Sequence, residues 1–335
     1  MNKSEYKNVF VFAEQREGKI QGVAIELLGK ARNLADDLQE EVYAILLGGK
    51  DIESKAQTLI SYGADKVIVA SCEELENYTT ESYTQAITQI SHEFKPSIIL
   101  FGATTIGRDL GPRLSARLTT GLTADCTKLE ISEEKELLMT RPAFGGNLMA
   151  TIVCSEHRPQ MSTVRPGVMK ALEKDENRKG EIIKTSINFN KEKFRVRIKE
   201  TVKEKSSMID ISEAKVLVSG GRGIGNEAGL KMLKELSTIL DAEVAASRAM
   251  VDAGLVEHKR QVGQTGQTVR PDLYFAFGIS GAIQHVAGME ESDFIIAVNK
   301  DRYAPIMQIA DLGIVGDCKS IIPALIERLS NKIKD

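Results

Sequence analysis

Short apolar runs and amphipathic segments alternate with few residues between them along the first 120 residues, and this limits the fold more than any other feature. Residues 9–13, 41–47, 66–70 and 97–101 are of strand length and apolar throughout, apart from a polar first residue in the last three. Between and after them, residues 22–38, 52–62, 80–94 and 109–119 predict helices; in the first, Val23, Leu27, Ala31, Leu34 and Leu38 recur at helical spacing. Gly63 stands where a helix C-cap belongs, and Pro96 stops the helix before it. Strands with no polar alternation are buried on both sides. A strand–helix repeat of this kind therefore implies a mostly parallel sheet covered on both faces.

The rhythm changes at 123–153. Alternating runs at 124–131, 137–141 and 147–154 predict strands paired without long crossovers. The charged stretch 173–184 reads as a solvated loop or an edge. Residues 191–205 alternate Phe194, Val196, Ile198 and Val202 with charges, which predicts a half-buried strand leading into a linker. We place a boundary near Ser206, giving domains 1–205 and 206–335. The second domain restarts the pattern. Strands are expected at 215–219, 243–246, 273–277 and 294–298, with at most a short one at 314–315. Helices are expected at 226–239, 280–287 and 320–330. Residues 251–271 lack periodicity and are too long for an idle connection, so they form a functional-loop candidate. The fold class expected is α/β, two Rossmann-like domains with mostly parallel sheets.

Composition narrows the function classes. Lys plus Arg number 44 against 47 Asp plus Glu, a formal net charge of -3, so no nucleic-acid footprint is present. No apolar run of membrane-spanning length occurs, and the N-terminal apolar run reads as a first strand and not a signal peptide; a cytoplasmic location without membrane insertion is the expectation. Cys72, Cys126, Cys154 and Cys318 lie far apart with no Cys-x-x-Cys, and are expected as unpaired thiols. The four histidines form no His-x-x-x-His, so no protein metal site is expected.

The chemistry lies in three glycine-punctuated polar loops, each abutting a short apolar run: Ser219-Gly-Gly-Arg-Gly-Ile-Gly225, Gly263-Gln-Thr-Gly266 and Gly278-Ile-Ser-Gly281. Glycines let a chain turn tightly and bring its amides close to an anion. The first loop follows a strand and precedes a helix, and Gly223-x-Gly225-x-x-Ala228 meets the loose dinucleotide pattern; an ordinary turn explains it equally well. A nicotinamide dinucleotide needs an acid at the end of the next strand. That strand ends in Ala246-Ser247-Arg248, and Glu243 is poorly placed. An arginine there suits a 2′-phosphate, so an NADP-dependent oxidoreductase stays open. A flavin dinucleotide has more polar surface and employs all three loops.

Longer stretches are more specific. Ser247-Arg248-Ala249, Val251-Asp252-Ala253-Gly254, Gln261-Val-Gly-Gln-Thr-Gly266, Gly278-Ile-Ser-Gly-Ala-Ile-Gln-His285, Ala297-Val-Asn-Lys-Asp301, Ala310-Asp311 and Gly316-Asp317 together resemble the electron transfer flavoprotein alpha subunit. The resemblance spans essentially the whole chain and is densest over 215–325. It implies FAD in the C-terminal domain and an N-terminal α/β scaffold, free of nucleotide, that packs on a beta subunit. It places Arg248 against the isoalloxazine, where a cation favours a flavin anion. It places the Thr265 hydroxyl at flavin N5, Gln264 at the polar middle of the cofactor, and His285 at the pyrimidine end. Ser280 and the amides of Gly281 and Ala282 become diphosphate partners, Gly278 and Ser247 are further cofactor-binding residues, and Asn299 and Asp317 lie near the adenosine half. Read from the residues alone, Arg248 is equally a surface ion-pairing group, Gly263–Gly266 a plain turn, His285 a structural histidine and Asp317 an N-cap competing with Ser320. Arg222 fits either the diphosphate or an ion pair across the subunit interface.

The stretch Phe101-Gly-Ala-Thr-Thr-Ile-Gly-Arg108-Asp109 is strand, glycine loop and helix start, able to invite an anion yet readable as structure. Thr163-Val-Arg-Pro-Gly-Val-Met169 resembles the electron-bifurcating branch of the family, or else is an arginine loop at a domain junction. That branch implies an acyl-CoA dehydrogenase partner, NADH, ferredoxin or flavodoxin, and rotation of the FAD domain about a hinge near Ser206. The alternatives are a simple carrier feeding a respiratory chain, an NADP-dependent oxidoreductase, and a flavin-binding scaffold without redox duty.

Overall fold

The structure, a computed structural model, describes residues 3–143, 148–201 and 210–332. Its contacts divide the chain into two compact units, Met1–Lys203 and Glu204–Asp335. The expected boundary residue, Ser206, lies outside the described residues.

In the first unit β1 (Val9–Phe12) leads to a two-stranded turn, β2 (Gln15–Arg16) and β3 (Lys19–Ile20), and then to α1 (Gly22–Leu38). There follow β4 (Val42–Gly48), α2 (Ala56–Ser61), β5 (Lys66–Ser71), α3 (Thr80–Phe94), β6 (Ile98–Gly102) and α4 (Thr105–Leu118). Three strands, β7 (Leu122–Cys126), β8 (Lys128–Ile131) and β9 (Leu137–Ala143), precede β10 (Leu148–Ile152), β11 (Gln160–Val164) and β12 (Glu181–Lys184). The main sheet runs β12-β5-β4-β1-β6-β11-β7, parallel throughout. The period-two alternation of β1 shows why its apolar run is unbroken. Val9 and Val11 join a core with Leu27 and Leu34 of α1, while Phe10 and Phe12 join one with Ile87 of α3 and Leu110 of α4. Strands β8, β9 and β10 form the antiparallel excursion expected from the change of rhythm.

The first unit departs from the expected pattern in three places. The helix expected at 109–119 begins earlier, because Thr104 caps it: its Oγ1 accepts from Gly107 N–H at 3.0 Å. The buried strand β11 was not expected, since Gln160, Ser162 and Thr163 make it look polar. Their side chains are spent internally: Gln160 takes the Leu137 amide proton at 3.0 Å and donates to the Cys154 carbonyl at 3.1 Å, and Thr163 Oγ1 takes the Asp125 amide proton at 2.9 Å. The half-buried strand expected at 191–205 does not form across its described residues, 191–201. Phe194 packs on Phe189 with ring centroids 5.9 Å apart, and the amides of Arg195 and Val196 donate to the nearly buried Glu81 carboxylate on α3, at 2.6 and 3.4 Å. A side-chain acceptor takes the hydrogen bonds a sheet partner needs. The stretch 173–184 ends in β12, the edge strand of the main sheet.

The α4 N-terminus is the anion-inviting position of this unit, and the protein supplies the anion itself. Glu14, only 1% exposed, accepts a hydrogen bond from the Thr104 hydroxyl and an ion pair from Arg16 at 3.2 Å. A carboxylate beside a helix N-terminus is stabilised by the same field that would hold a phosphate.

The second unit contains β13 (Val216–Gly220), α5 (Glu227–Ile239), β14 (Glu243–Ala246), α6 (Arg248–Asp252), β15 (Leu273–Phe277) and α7 (Ile283–Val286). It closes with β16 (Ile295–Asn299), α8 (Ile306–Ile309), β17 (Leu312–Val315) and α9 (Cys318–Lys332). The sheet is parallel in the order β14-β13-β15-β16-β17. The chain leaves β13 in one direction and returns to its other side at β15. The crevice at the carboxyl ends of these two strands is the switch point where such sheets bind ligands. The helix expected at 280–287 shrinks to α7, because Gly281 sits at φ +83° beside the Ile306 backbone and is not helical. Among the described residues no helix is long and apolar enough to cross a membrane.

Thr104 carries two duties, capping α4 and holding Glu14. Thr104→Val should lower the stability of the first unit by about 1–2 kcal/mol, whereas Thr104→Ser should retain most of it. Urea titrations of the full chain compare the two variants.

Candidate functional site

Loops leaving β13, β14 and β15 and the segment after residue 260 enclose a cleft of about 630 Å³. Glycines set its shape. A Cβ on Gly221 would stand 2.4 Å from the Gly278 carbonyl oxygen, and one on Gly223 would stand 2.7 Å from Gly278 Cα. The two loops thus pack backbone on backbone, joined by Gly221 N–H to the Phe277 carbonyl at 2.9 Å and Gly223 N–H to the Gly278 carbonyl at 3.1 Å. This changes the reading of the Gly-rich loop. Its amides at 221, 223, 224 and 225 are already spent, and the head of α5 is closed by Asn226, whose Oδ1 accepts from Ala228 and Gly229. The loop after β15 is the open cradle instead. The N–H groups of Ile279, Ser280, Gly281 and Ala282 have no protein acceptor among the described residues, and Ile279, Ser280 and Ala282 line the cleft.

Of the residues singled out in the sequence, Arg222, Ser247, Arg248, Thr265, Gly278, Ser280, Ala282 and His285 line this cleft. Arg248 opens α6, its side chain 70% exposed, with Nε 3.3 Å from the Asp252 carboxylate on the next turn. An exposed i,i+4 pair of this kind holds the guanidinium weakly and leaves it available. Arg222 is likewise exposed. Four expected residues do not line the cleft. Gln264 is exposed, and its amide donates to the Gln284 carbonyl at 2.8 Å. Gly281 is buried against Ile306. Asn299 braces the cradle from behind, donating from Nδ2 to the Ile279 carbonyl at 2.8 Å. Asp317 stands at the head of α9, accepting from Lys319 N–H at 2.9 Å and pairing with Lys300 at 2.9 Å. Those partners, the Lys319 amide first, hold its carboxyl below the usual range. Glu243 pairs with the buried Arg260 at 2.6 Å, at the end of β14 away from the cleft.

His285 differs from the expectation of a ring nitrogen aimed at a cofactor. Nδ1 lies 3.1 Å from the Val262 carbonyl and Nε2 lies 2.9 Å from the Tyr274 hydroxyl. A carbonyl only accepts, so Nδ1 carries the proton and Nε2 accepts from Tyr274. Burial pushes the imidazole down to about 4, so it is neutral at pH 7. Burial likewise raises the Tyr274 phenol, keeping it protonated and a donor. The sequence did not mark Tyr274, which looks like any aromatic in a buried strand. Gln261, Val262 and Gln284 stood inside the motifs that carry the resemblance but were given no role of their own; they line the cleft because the segment after residue 260 folds back. That fold-back rests on Val262 N–H donating to the Ala246 carbonyl at 2.9 Å and on Gly263, where a Cβ would meet the Gln284 carbonyl at 2.7 Å.

Profiles of two families cover most of the chain. One described as "Electron transfer flavoprotein domain" matches residues 9–189, and one described as "Electron transfer flavoprotein FAD-binding domain" matches residues 210–290. The chain belongs to the electron transfer flavoprotein family, as an alpha subunit. It is 54% identical over 326 residues to "Electron transfer flavoprotein subunit alpha" of Thermoanaerobacterium thermosaccharolyticum, covering 97% of this chain and 98% of that one. It is 44% identical to "Acryloyl-CoA reductase electron transfer subunit beta" of Anaerotignum propionicum, over 97% of this chain and 96% of the relative. It is 43% identical to "Lactate dehydrogenase (NAD(+),ferredoxin) subunit LctC" of Acetobacterium woodii, over 97% and 78%. FAD is the cofactor of this family's second domain. The cleft suits it: the free amides of Ile279, Ser280 and Ala282 offer a diphosphate cradle, and the cleft volume is that of a cofactor site. Among the described residues no cluster of His, Cys, Asp or Glu is arranged to hold a metal.

Two outcomes test this geometry. Gly223→Ala should drive the two loops apart and weaken FAD binding, as measured by flavin retained after dialysis. His285 has a depressed folded pKa, so its contribution is present above the unfolded value near 6.5 and is lost as pH falls through about 4. The loss is on the order of 3 kcal/mol. His285→Gln should flatten the fall in stability between pH 6.5 and pH 4 in denaturation titrations of the FAD-loaded protein.

Proposed function

We propose that the chain passes single electrons through one FAD held in its second unit, in concert with a beta subunit packed against residues 1–205, and that the pair performs NADH-dependent electron bifurcation. The dehydrogenase end of the path is an acyl-CoA dehydrogenase, the strongly reducing end is ferredoxin or flavodoxin, and the setting is the cytoplasm. The observation that carries this reading is the cleft at the switch point, which combines a diphosphate cradle with an available guanidinium. When bound, FAD supplies the one-electron chemistry that no side chain here supplies. The chain's own residues bind and bias it. The amides of Ile279, Ser280 and Ala282 take the diphosphate. Arg248 offers a cation to negative charge on the ring. Thr265, exposed on the turn closed by Gly266, offers its hydroxyl to N5. The second half of the reading is supported by relatives whose names join an acyl-CoA reductase or NAD and ferredoxin to this kind of subunit, and by the sequence Thr163–Met169.

In the first unit Arg165 follows β11 and pairs with Asp125 at 2.8 Å, with Arg108 at 3.5 Å from the same carboxylate. The motif thus has a partner in its own unit and still leaves surplus positive charge there.

NADH-driven reduction of ferredoxin by the alpha–beta complex, dependent on an enoyl-CoA and its dehydrogenase, is the expected result. Absence of ferredoxin reduction, with one FAD and one AMP recovered per complex, points to a simple carrier. Arg248→Ala should lower the one-electron potential of the alpha flavin, seen in a spectroscopic redox titration, while FAD stays bound. An unmoved potential would assign Arg248 to the surface.

A further inference from the structure

Gln261 is 3% exposed, yet it lines the cleft. Its backbone is fixed on both sides, donating to the His258 carbonyl at 2.9 Å and accepting from Gln267 N–H at 2.7 Å. Gly266 allows the turn to close over it, since a Cβ there would meet the Gln261 carbonyl at 2.3 Å. The amide Nε2 of Gln261 donates to Thr265 Oγ1 at 2.9 Å.

The polarity of that bond matters. A hydroxyl has one proton and two lone pairs, whereas the amide nitrogen of Gln only donates. With one lone pair occupied by Gln261, Thr265, which lines the cleft, keeps its own proton free to donate. We propose that Gln261 is a positioning residue that makes the Thr265 hydroxyl a hydrogen-bond donor toward the ring of the bound flavin. The inference rests on the reading that Thr265 addresses that ring. A donor fixed in this direction favours the more electron-rich states of the ring, because negative charge accumulates there on reduction. The effect passes through the hydroxyl. Nothing in the sequence separates Gln261 from Gln264 as the operative amide. Burial does: Gln264 is exposed, and Gln261 is fixed beneath the threonine.

The test is a double-mutant cycle on the alpha–beta complex with FAD loaded, each flavin band being followed in a redox titration and FAD content measured in parallel. Gln261→Glu keeps the shape but only accepts when ionised, so it takes the Thr265 proton and reverses the bond. Gln261→Met removes the bond without adding charge, and carries the same cycle if the glutamate variant fails to fold. Thr265→Val removes the hydroxyl. Expected are a lowered potential for Gln261→Glu, for Gln261→Met and for Thr265→Val, and a Gln261 effect at least halved in the Thr265→Val background. An equal shift in both backgrounds shows a through-space or general structural effect and overturns the inference, as does an unmoved potential in both Gln261 variants while Thr265→Val shifts it. If Thr265→Val itself leaves the potential unmoved with FAD at full content, the reading of Thr265 fails, and the inference falls with it.

Discussion

Backbone-on-backbone packing of Gly221 and Gly223 against Gly278 is the constraint on which the cleft depends. No side chain fits between these loops, since a Cβ at any of the three positions would fall within 2.7 Å of the opposite backbone. The packing has two effects at once. It consumes the amides of Gly221 and Gly223, and it leaves Ile279, Ser280 and Ala282 at the crevice with their amides unpaired among the described residues. A loop that looks like a phosphate cradle thus serves as the buttress of another. Asn299 completes the support from the far side through the Ile279 carbonyl.

The same economy appears around the segment after residue 260. It has no periodicity because it owes its path to isolated contacts and not to an element of its own. The Arg260–Glu243 pair fixes its start, the Ala246 carbonyl takes Val262 N–H, and Gly263 lies against the Gln284 backbone. The Val262 carbonyl in turn fixes His285 as the neutral tautomer that Tyr274 completes. Buried polar groups that are fully paired rigidify a site, and these lie directly behind a surface that has to hold a large cofactor in one orientation. The first unit has the same kind of crevice with a different occupant. Glu14 there places a carboxylate of the protein beside the helix start that a phosphate could otherwise use.

The sequence by itself determined the alternation of strand and helix, because buried parallel strands need unbroken apolar runs and covering helices need one apolar face. The first sheet, covered on both faces, is legible that way, and the structure adds the split of Val9 and Val11 from Phe10 and Phe12. The sequence also determined the family, through motifs spread from Ser247 to Asp317 whose combined spacing is too specific for chance. Eight of the residues it singled out line one cleft. What only the tertiary structure decided depends on which partner a polar group meets. Gln160, Ser162 and Thr163 disguise a buried strand because the groups that pair with Gln160 and Thr163 are distant in sequence. Residues 194–196 alternate like a strand, but the Glu81 carboxylate takes their amides. The glycines of 221 and 223 announce close approach without saying to what, and Gln261 is indistinguishable from Gln264 until one is buried under Thr265 and the other faces water. Periodicity and motif are properties of the chain, whereas hydrogen-bond polarity and backbone contact arise only when separate segments meet.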